Sequence, residues 1–147
     1  MFNVYGKVVL IVDDSPSIRR EVRAILQKEG ITVREAGTEF GLFNTIDEYG
    51  EVVDMILMDL TLNETTGFDL VAKIRTVERL KSIPIIMLTQ HSDRKNVLKA
   101  KDLGINGYMV KPINSQLLVE RVRKTLEESF GEAEADSNQD NSDPDKI

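Results

Sequence analysis

The chain has 147 residues, no cysteine and a formal net charge of −6. This length suits one domain that buries ~70% of its unfolded surface, and the absence of cysteine excludes disulfides, thiolate zinc sites and cysteine nucleophiles. No apolar stretch approaches the ~18 residues of a membrane span, and the N-terminus lacks the basic-then-apolar design of a signal peptide. The sequence therefore predicts a cytoplasmic protein that is not exported.

The acidic charge is concentrated at the C-terminus. Residues 131–147 contain six acids and one base, a net charge of −5, which leaves −1 for residues 1–130. A nearly neutral domain has no broad basic face for phosphodiester backbones, so we expect no direct nucleic-acid binding. The tail has almost no large apolar residue, which predicts disorder. It is either a solvating end, which the composition favours, or the start of a linker to an output domain.

Short apolar runs alternate five times with amphipathic stretches along residues 1–130. The predicted strands are 7–12, 31–35, 53–58, 83–88 and 106–110. The predicted helices are 15–29, 38–49, 67–80, 92–103 and 114–129. Runs such as 83–88 are apolar throughout, as expected for parallel strands that are covered on both faces. The pattern predicts an α/β fold, a three-layer sandwich around a five-stranded parallel sheet.

The first predicted helix carries clear boundary signals. Ser15 followed by Pro16 suits an N-cap and the first helical position, and Gly30 is placed to end the helix. The charged residues within 19–23 are predicted to form the solvent-facing side of this helix.

Three carboxylates follow two of the predicted strands. Asp13 and Asp14 end the apolar run 8–12, and Asp59 ends the run 55–58. If these runs are neighbouring parallel strands, the three side chains converge at one sheet edge, where an open α/β fold places its ligands. Carboxylates about 4 Å apart repel by roughly 4 kcal/mol at an effective dielectric of 20, so such a cluster requires a cation, a proton or a function.

A hydroxyl and an ammonium group follow two further strands. Thr89 comes after the run 85–88, and Lys111 comes after 108–110. A hard ion such as Mg²⁺ prefers carboxylate oxygens, which the three acids supply, and the backbone carbonyl of Thr61 can add a ligand. Lys111 and Thr89 would then bind the oxygens of a phosphoryl group, with an aspartate as its covalent acceptor.

In order and spacing, these residues resemble the signature of response-regulator receiver domains of two-component signalling. The resemblance covers about residues 5–128. No single element of it is specific, but the ordered set of residues at the strand ends is specific. It implies a flavodoxin-like (βα)5 fold with the sheet order 2-1-3-4-5. The residues that carry it are Asp13, Asp14, Asp59, Gly67, Thr89, Tyr108, Lys111 and Pro112.

The resemblance implies a role for each of these positions. Asp59 would accept a phosphoryl group from a phosphohistidine, while Asp13 and Asp14 would hold Mg²⁺ together with Asp59. Lys111 would pair with the phosphoryl oxygens, and its peptide bond to the proline that follows would be cis. The hydroxyl of Thr89 and the ring of Tyr108 would form the switch.

The resemblance also implies partners. The phosphoryl donor would be a sensor histidine kinase or a histidine phosphotransfer protein. A downstream target would bind the face made by the fourth helix, fifth strand and fifth helix, and the chain would be a monomer or a phosphorylation-dependent dimer. Such a protein is a signalling domain that phosphorylates and dephosphorylates itself, not an enzyme with an external substrate. We expect a free-standing regulator, with a receiver fragment of a larger multidomain regulator as the alternative.

Other function classes fit less well. An aspartate-nucleophile phosphatase should have a general acid two residues after the nucleophile, where Thr61 stands. A flavodoxin-like electron carrier must cradle a phosphate after its first strand, where Asp13 and Asp14 would repel it. A structural pseudo-receiver should have lost Asp14, Asp59 or Lys111, and all three are present.

Three positions depart from the family pattern. Asn63 and Thr66 replace the usual proline and acidic or amide residue in the loop after Asp59, which predicts a looser loop. Gln90 replaces a small residue, and His91 occupies a variable position that influences the lifetime of the phosphoryl group. His91 is otherwise an isolated loop histidine without companions for a zinc site.

Overall fold

The computed structural model describes residues 2–48, 53–90 and 93–141, with side chains up to residue 130. The strands are β1 (Val8–Val12), β2 (Thr32–Ala36), β3 (Met55–Met58), β4 (Ile85–Thr89) and β5 (Gly107–Val110). The α-helices are α1 (Pro16–Gln27), α2 (Glu39–Glu48), α3 (Gly67–Thr76), α4 (Arg94–Asp102) and α5 (Ser115–Asn141). Every predicted strand and helix is present in the predicted order.

The five strands form one parallel sheet in the order β2-β1-β3-β4-β5. This confirms the flavodoxin-like order. The strand order reverses at β1 and β3, so the carboxyl ends of these two neighbours open the crevice in which such sheets bind ligands. The register pairs Val12 with Met58 and Thr89 with Val110, so the residues after these pairs meet at one edge.

The sheet is covered on both faces, as predicted. Leu10 and Val12 of β1 belong to the apolar cluster that includes α2 and α3. Val9 and Ile11 belong to the opposite cluster, which includes α1 and α5. All four side chains are fully buried. Successive strand residues therefore pack into different layers, which explains why β1 is apolar throughout rather than alternating.

The boundaries of α1 follow the predicted signals. Ser15 is the N-cap, and its Oγ accepts a hydrogen bond from the backbone N–H of Ile18 at 3.3 Å. Pro16 is the first helical residue. Gly30, with a φ of 80°, follows the helix in the left-handed conformation that glycine adopts without strain.

Two helices end more than two residues away from the predicted position. The helix predicted over 67–80 stops at Thr76, because Val77 is extended with φ −85° and ψ 119°, and a short 3-10 turn (Glu78–Leu80) follows.

The last helix continues to Asn141 instead of ending at 129, through a segment in which glutamate and alanine favour the helix. Residues 142–147 of the predicted tail lie outside the described residues, and the division into a domain at 1–130 and an acidic tail stays a prediction. Although α5 has 27 residues, no helix within the described ranges combines the length and apolarity that a membrane crossing requires.

Arg75 of α3 fixes the segments that lead into two strands. Its guanidinium donates to the backbone carbonyls of Lys81 and Ile83, at 3.2 and 2.7 Å, and to that of Gly104 at 3.1 Å. These carbonyls precede β4 and β5, the strands that end in Thr89 and lead to Lys111. One side chain therefore connects α3 to both.

Candidate functional site

The three acids converge at the carboxyl ends of β1 and β3. The backbone N–H of Asp59 donates to the carbonyl of Val12 at 2.9 Å, which continues the ladder one residue beyond the strands. Carboxylate oxygens of Asp13, Asp14 and Asp59 all lie within 4.8 Å of one another. Asp13 is fully buried, Asp59 is 6% exposed and Asp14 is half-buried. The predicted cluster is therefore present, with its two most buried members on neighbouring strands.

Lys111 is the cation of this cluster. Its Nζ lies 2.7 Å from Asp13 Oδ2 and 3.4 Å from Asp59 Oδ2, and its side chain is 11% exposed. The backbone N–H of Lys111 donates to the carbonyl of Thr89 at 2.7 Å, so the ends of β4 and β5 place the two residues side by side. The bond from Lys111 to Pro112 is cis, as the resemblance implied.

These side chains surround one cavity of about 420 Å³, here called the acid cavity. Thr89 is fully buried in its wall, and Gln90 lies exposed at its edge. His91 lies outside the described residues. The lining of the acid cavity comprises Asp13, Asp14, Ser15, Ser17, Ile18, Asp59, Thr61, Thr89, Gln90 and Lys111. It thus contains every predicted site residue except Tyr108.

The electrostatics of Asp59 reflect its crowded surroundings. Burial, and then the neighbouring Asp13 carboxylate, raise the pKa of Asp59 above its ordinary value. Lys111 and the backbone N–H of Thr61, which donates to Asp59 Oδ1 at 3.4 Å, act in the opposite direction without cancelling the rise. Lys111 therefore does not offset the burial of Asp59 beside Asp13, and the site favours an additional cation or a proton.

The donor set fits a magnesium ion. Mg²⁺ is usually held by one or two carboxylates, with water and phosphate oxygens completing an octahedron. Asp13, Asp14 and Asp59 provide oxygen ligands within a few ångströms of one another, in a cavity with room for water. The unbalanced negative charge at Asp59 is the structural observation that favours a divalent ion here.

The chain matches a known protein family over most of its length. A family model described as the response regulator receiver domain covers residues 9–123. The chain belongs to this family. Receiver domains act in two-component signalling, which agrees with the resemblance that the strand-end residues carry.

Individual relatives are single receivers from bacterial chemotaxis. The chain is 33% identical to the chemotaxis protein CheY of Pseudomonas aeruginosa over 123 residues, which cover 84% of this chain and 98% of that protein. It is 34% identical to the chemotaxis protein CheY1 of Helicobacter pylori over 119 residues, 80% of this chain and 95% of that one. The chain therefore spans nearly the whole length of both relatives.

Solved structures show the same fold. A CheY-like receiver domain protein of Methanospirillum hungatei superimposes with a TM-score of 0.77 at 29% identity, covering 86% of this chain and 98% of that one. CheY4 of Vibrio cholerae gives a TM-score of 0.76 at 31% identity, with coverages of 82% and 98%.

The loop after Asp59 of this receiver is closed by hydrogen bonds of its own backbone. Thr61 and Thr66 form an isolated bridge, and the N–H of Gly67 donates to the carbonyl of Leu60 at 2.7 Å. Thr66 also caps α3, because its hydroxyl accepts from the N–H of Asp69 at 3.1 Å. Threonine thus performs the capping that an aspartate or asparagine performs. Whether the loop is looser than in other receivers stays a prediction.

Tyr108 lies beside the acid cavity without lining it. It is half-buried on β5, where it pairs with Met87 of β4. Burial, and then the carboxylate of Asp93, raise the pKa of its hydroxyl. The switch role of Tyr108 and Thr89 stays a prediction, as does the use of the Thr61 carbonyl as a metal ligand.

Arg19 belongs to the site, although the sequence predicts that it faces solvent. Its Nη1 donates to the backbone carbonyl of Asp13, and its Nε pairs with Glu35 Oε1 at 3.1 Å. The other oxygen of Glu35 pairs with Arg23 at 2.7 Å. A Cβ on Gly37 would come within 2.9 Å of Arg19 Nη1, so the glycine leaves room for this guanidinium. In the sequence, this ion pair is indicated only by an arginine one turn into α1, Arg19, and an acid near the end of β2, Glu35.

Proposed function

We propose that this receiver is a phosphorylation switch in which Asp59 accepts a phosphoryl group from a phosphohistidine. The observation that carries the proposal is the convergence of three carboxylates, Thr89 and Lys111 on one cavity. A carboxylate oxygen of Asp59 attacks phosphorus, the bond from phosphorus to the imidazole nitrogen breaks, and the histidine leaves with that electron pair and takes up a proton. The product is an aspartyl phosphate.

Asp59 is favoured over Asp13 as the acceptor by its contacts. Asp13 is fully buried and engaged on both oxygens, with Oδ1 accepting from the N–H of Ser15 at 2.9 Å and Oδ2 facing Lys111 at 2.7 Å. Among the described residues, Asp59 Oδ1 accepts only the long hydrogen bond from the N–H of Thr61, at 3.4 Å. An oxygen with fewer partners is the better nucleophile, which favours Asp59 over Asp13. The assignment of Asp13 and Asp14 to the metal follows the resemblance to receiver domains.

The surrounding groups compensate the charge that builds up during transfer. Lys111 Nζ lies 3.4 Å from Asp59 Oδ2, near enough to pair with the oxygens of an attached phosphoryl group. The hydroxyl of Thr89, in the wall of the same cavity, is the second group that can contact those oxygens. When bound, Mg²⁺ would neutralise the acids and the phosphoryl oxygens together.

Output would occur through the face of α4, β5 and α5. This face exposes large apolar side chains from all three elements, as a surface for a target protein or a second copy would. They are Val97 and Leu98 of α4, Val110 of β5 and Leu117 of α5. Thr89 and Tyr108 would transmit the change from the acid cavity to this face. Thr89 ends β4 in the wall of the cavity, and Tyr108 lies on β5.

The test is incubation with acetyl phosphate, with Mg²⁺ or with EDTA, followed by intact-mass measurement. We expect one phosphoryl adduct that requires Mg²⁺ and is absent in Asp59→Asn. An unchanged adduct in Asp59→Asn would assign the reaction to another residue. Turnover of an external phosphoester by the wild-type protein would instead support the aspartate-nucleophile phosphatase.

A further inference from the structure

A second and larger cavity lies beside α2. It encloses about 800 Å³, against about 420 Å³ for the acid cavity, and shares no lining residue with it. Its walls are residues 37–38, one side of α2 and residues 62–65 of the loop after β3. This volume is within the ~300–1,000 Å³ typical of ligand pockets. We call this cavity the α2 groove.

The α2 groove presents an aromatic side chain to solvent. Phe40 is 79% exposed, while Phe43, three residues further on, lies partly buried against the core. Residues at this spacing lie on the same side of a helix, and both phenylalanines line the groove. An isolated exposed phenylalanine needs no explanation, but one at the edge of a concave apolar surface is a typical anchor for a partner.

The charged residues that line the α2 groove are all acidic. Its lining contains Glu39, Asp47 and Glu64, and no lysine or arginine. Glu39 and Asp47 pair with cations outside the lining, at 2.7 and 2.8 Å. Glu64 is exposed and has no ion pair within the part of the chain that the structure describes. A positively charged group of an occupant would therefore complement the groove at Glu64.

We infer that the α2 groove is a docking surface for a basic segment of a partner protein, which places one large apolar side chain beside Phe40 and a lysine or arginine near Glu64. The C-terminal residues of the chain itself do not suit it, because residues 131–147 carry a net charge of −5. A twofold pairing of two grooves would oppose like charges. This surface is separate from the acid cavity, so the inference goes beyond the proposed phosphorylation and does not depend on it.

The experiment uses the full chain, without metal or phosphodonor, and three synthetic helical peptides. The first is lysine-rich with one central phenylalanine, the second replaces that phenylalanine with alanine, and the third replaces its lysines with glutamate. Binding is followed by amide chemical shifts of ¹⁵N-labelled protein. We expect the first peptide to bind and to shift the amides of α2 and residues 62–65, and the other two to bind at least roughly tenfold more weakly.

Two exposed aromatic residues provide matched variants. Phe40→Ser should lower the affinity for the first peptide by roughly tenfold or more. Tyr5→Ser removes a side chain that is 77% exposed outside the groove, and should leave this affinity unchanged. Because Phe40→Ser changes no charge, its effect separates docking in the groove from attraction to the acidic C-terminus. Glu64→Lys should also weaken binding.

Three results would overturn the inference. The first is equal binding to wild type and Phe40→Ser, and the second is a set of shifts confined to residues 131–141. The third is concentration-dependent self-association that is lost in Phe40→Ser, because the occupant would then be a second copy, for which the basic α4 with its exposed Val97 and Leu98 is the matching segment.

Discussion

Lys111 lies closer to Asp13 than to Asp59: its Nζ is 2.7 Å from Asp13 Oδ2 and 3.4 Å from Asp59 Oδ2. The amine therefore pairs mainly with a proposed metal ligand while Asp59 is unmodified. A phosphoryl group on Asp59 would offer it a more highly charged partner. The same side chain thus stabilises the resting site and is available to the phosphorylated one.

Removing this cation should destabilise the metal-free protein. Lys111→Met leaves Asp13 and Asp59 buried without their ammonium partner, and the loss of one member of a buried pair costs about 3 kcal/mol. We expect a fall of this size in the free energy of unfolding, measured by urea denaturation at pH 7 in EDTA.

The matched control for Lys111 is an exposed ion pair. Lys73→Met removes the partner of Glu39, where the two side chains are 55% and 38% exposed, and should cost less than about 1 kcal/mol. Equal losses in the two variants would mean that the acid cavity does not depend on Lys111 for charge balance.

The raised pKa of Asp59 predicts the direction of a pH effect. The folded protein keeps this proton at pH values where the unfolded chain, with an ordinary pKa of 3.8, has released it. Stability therefore falls as the pH rises from 3.8 through the raised value, and at neutral pH the ionised Asp59 disfavours the fold. Asp59→Asn should raise the melting temperature at pH 7 in EDTA, and this advantage should shrink as the pH falls toward 3.8. An advantage that grew toward low pH would contradict the raised pKa.

Arg19 should contribute more to stability and to Mg²⁺ affinity than its neighbour Arg20. Arg19→Met removes the donors to the Asp13 carbonyl and to Glu35, and charged hydrogen bonds of this kind contribute about 1.5–3 kcal/mol each. We expect a comparable loss in urea denaturation and a weaker Mg²⁺ affinity in calorimetry, because the Asp13 backbone loses its support. Arg20→Met, on the exposed side of α1, should stay within about 0.5 kcal/mol of wild type. Similar losses of stability and Mg²⁺ affinity in both variants would mean that Arg19 does not support Asp13, as expected for a solvent-facing residue.

Gly67 sets the distance between α3 and the backbone of Asp59. A Cβ at this position would lie 2.2 Å from the Asp59 carbonyl oxygen and 2.9 Å from Met87 Cε. Gly67→Ala should therefore cost about 3 kcal/mol in the free energy of unfolding and slow phosphorylation, since the Asp59 backbone must move. Gly104→Ala, with open space but a φ of 72°, should cost only about 1 kcal/mol. A smaller loss at Gly67 than at Gly104 would show that the Asp59 backbone tolerates the shift.

The sequence predicts the sheet and the acid cluster well because both depend on local patterns. Continuous apolar runs indicated buried parallel strands, and Asp13, Asp59 and Thr89 directly end or follow such runs. The place of Arg19 was not predictable in this way, since its contacts with Asp13 and Glu35 join segments that meet only in the folded protein. The end of α3 at Thr76 was also missed, because an extended Val77 interrupts an otherwise helical pattern.

The most direct test of the switch is to locate the phosphoryl group. The protein is treated with acetyl phosphate and Mg²⁺ and then reduced with sodium borohydride, which converts an aspartyl phosphate into homoserine, and the peptides are sequenced by mass spectrometry. We predict homoserine at position 59 alone, dependent on both phosphodonor and Mg²⁺. Homoserine at position 13 or 14, or none at position 59, would contradict the assignment of Asp59 as the phosphoacceptor.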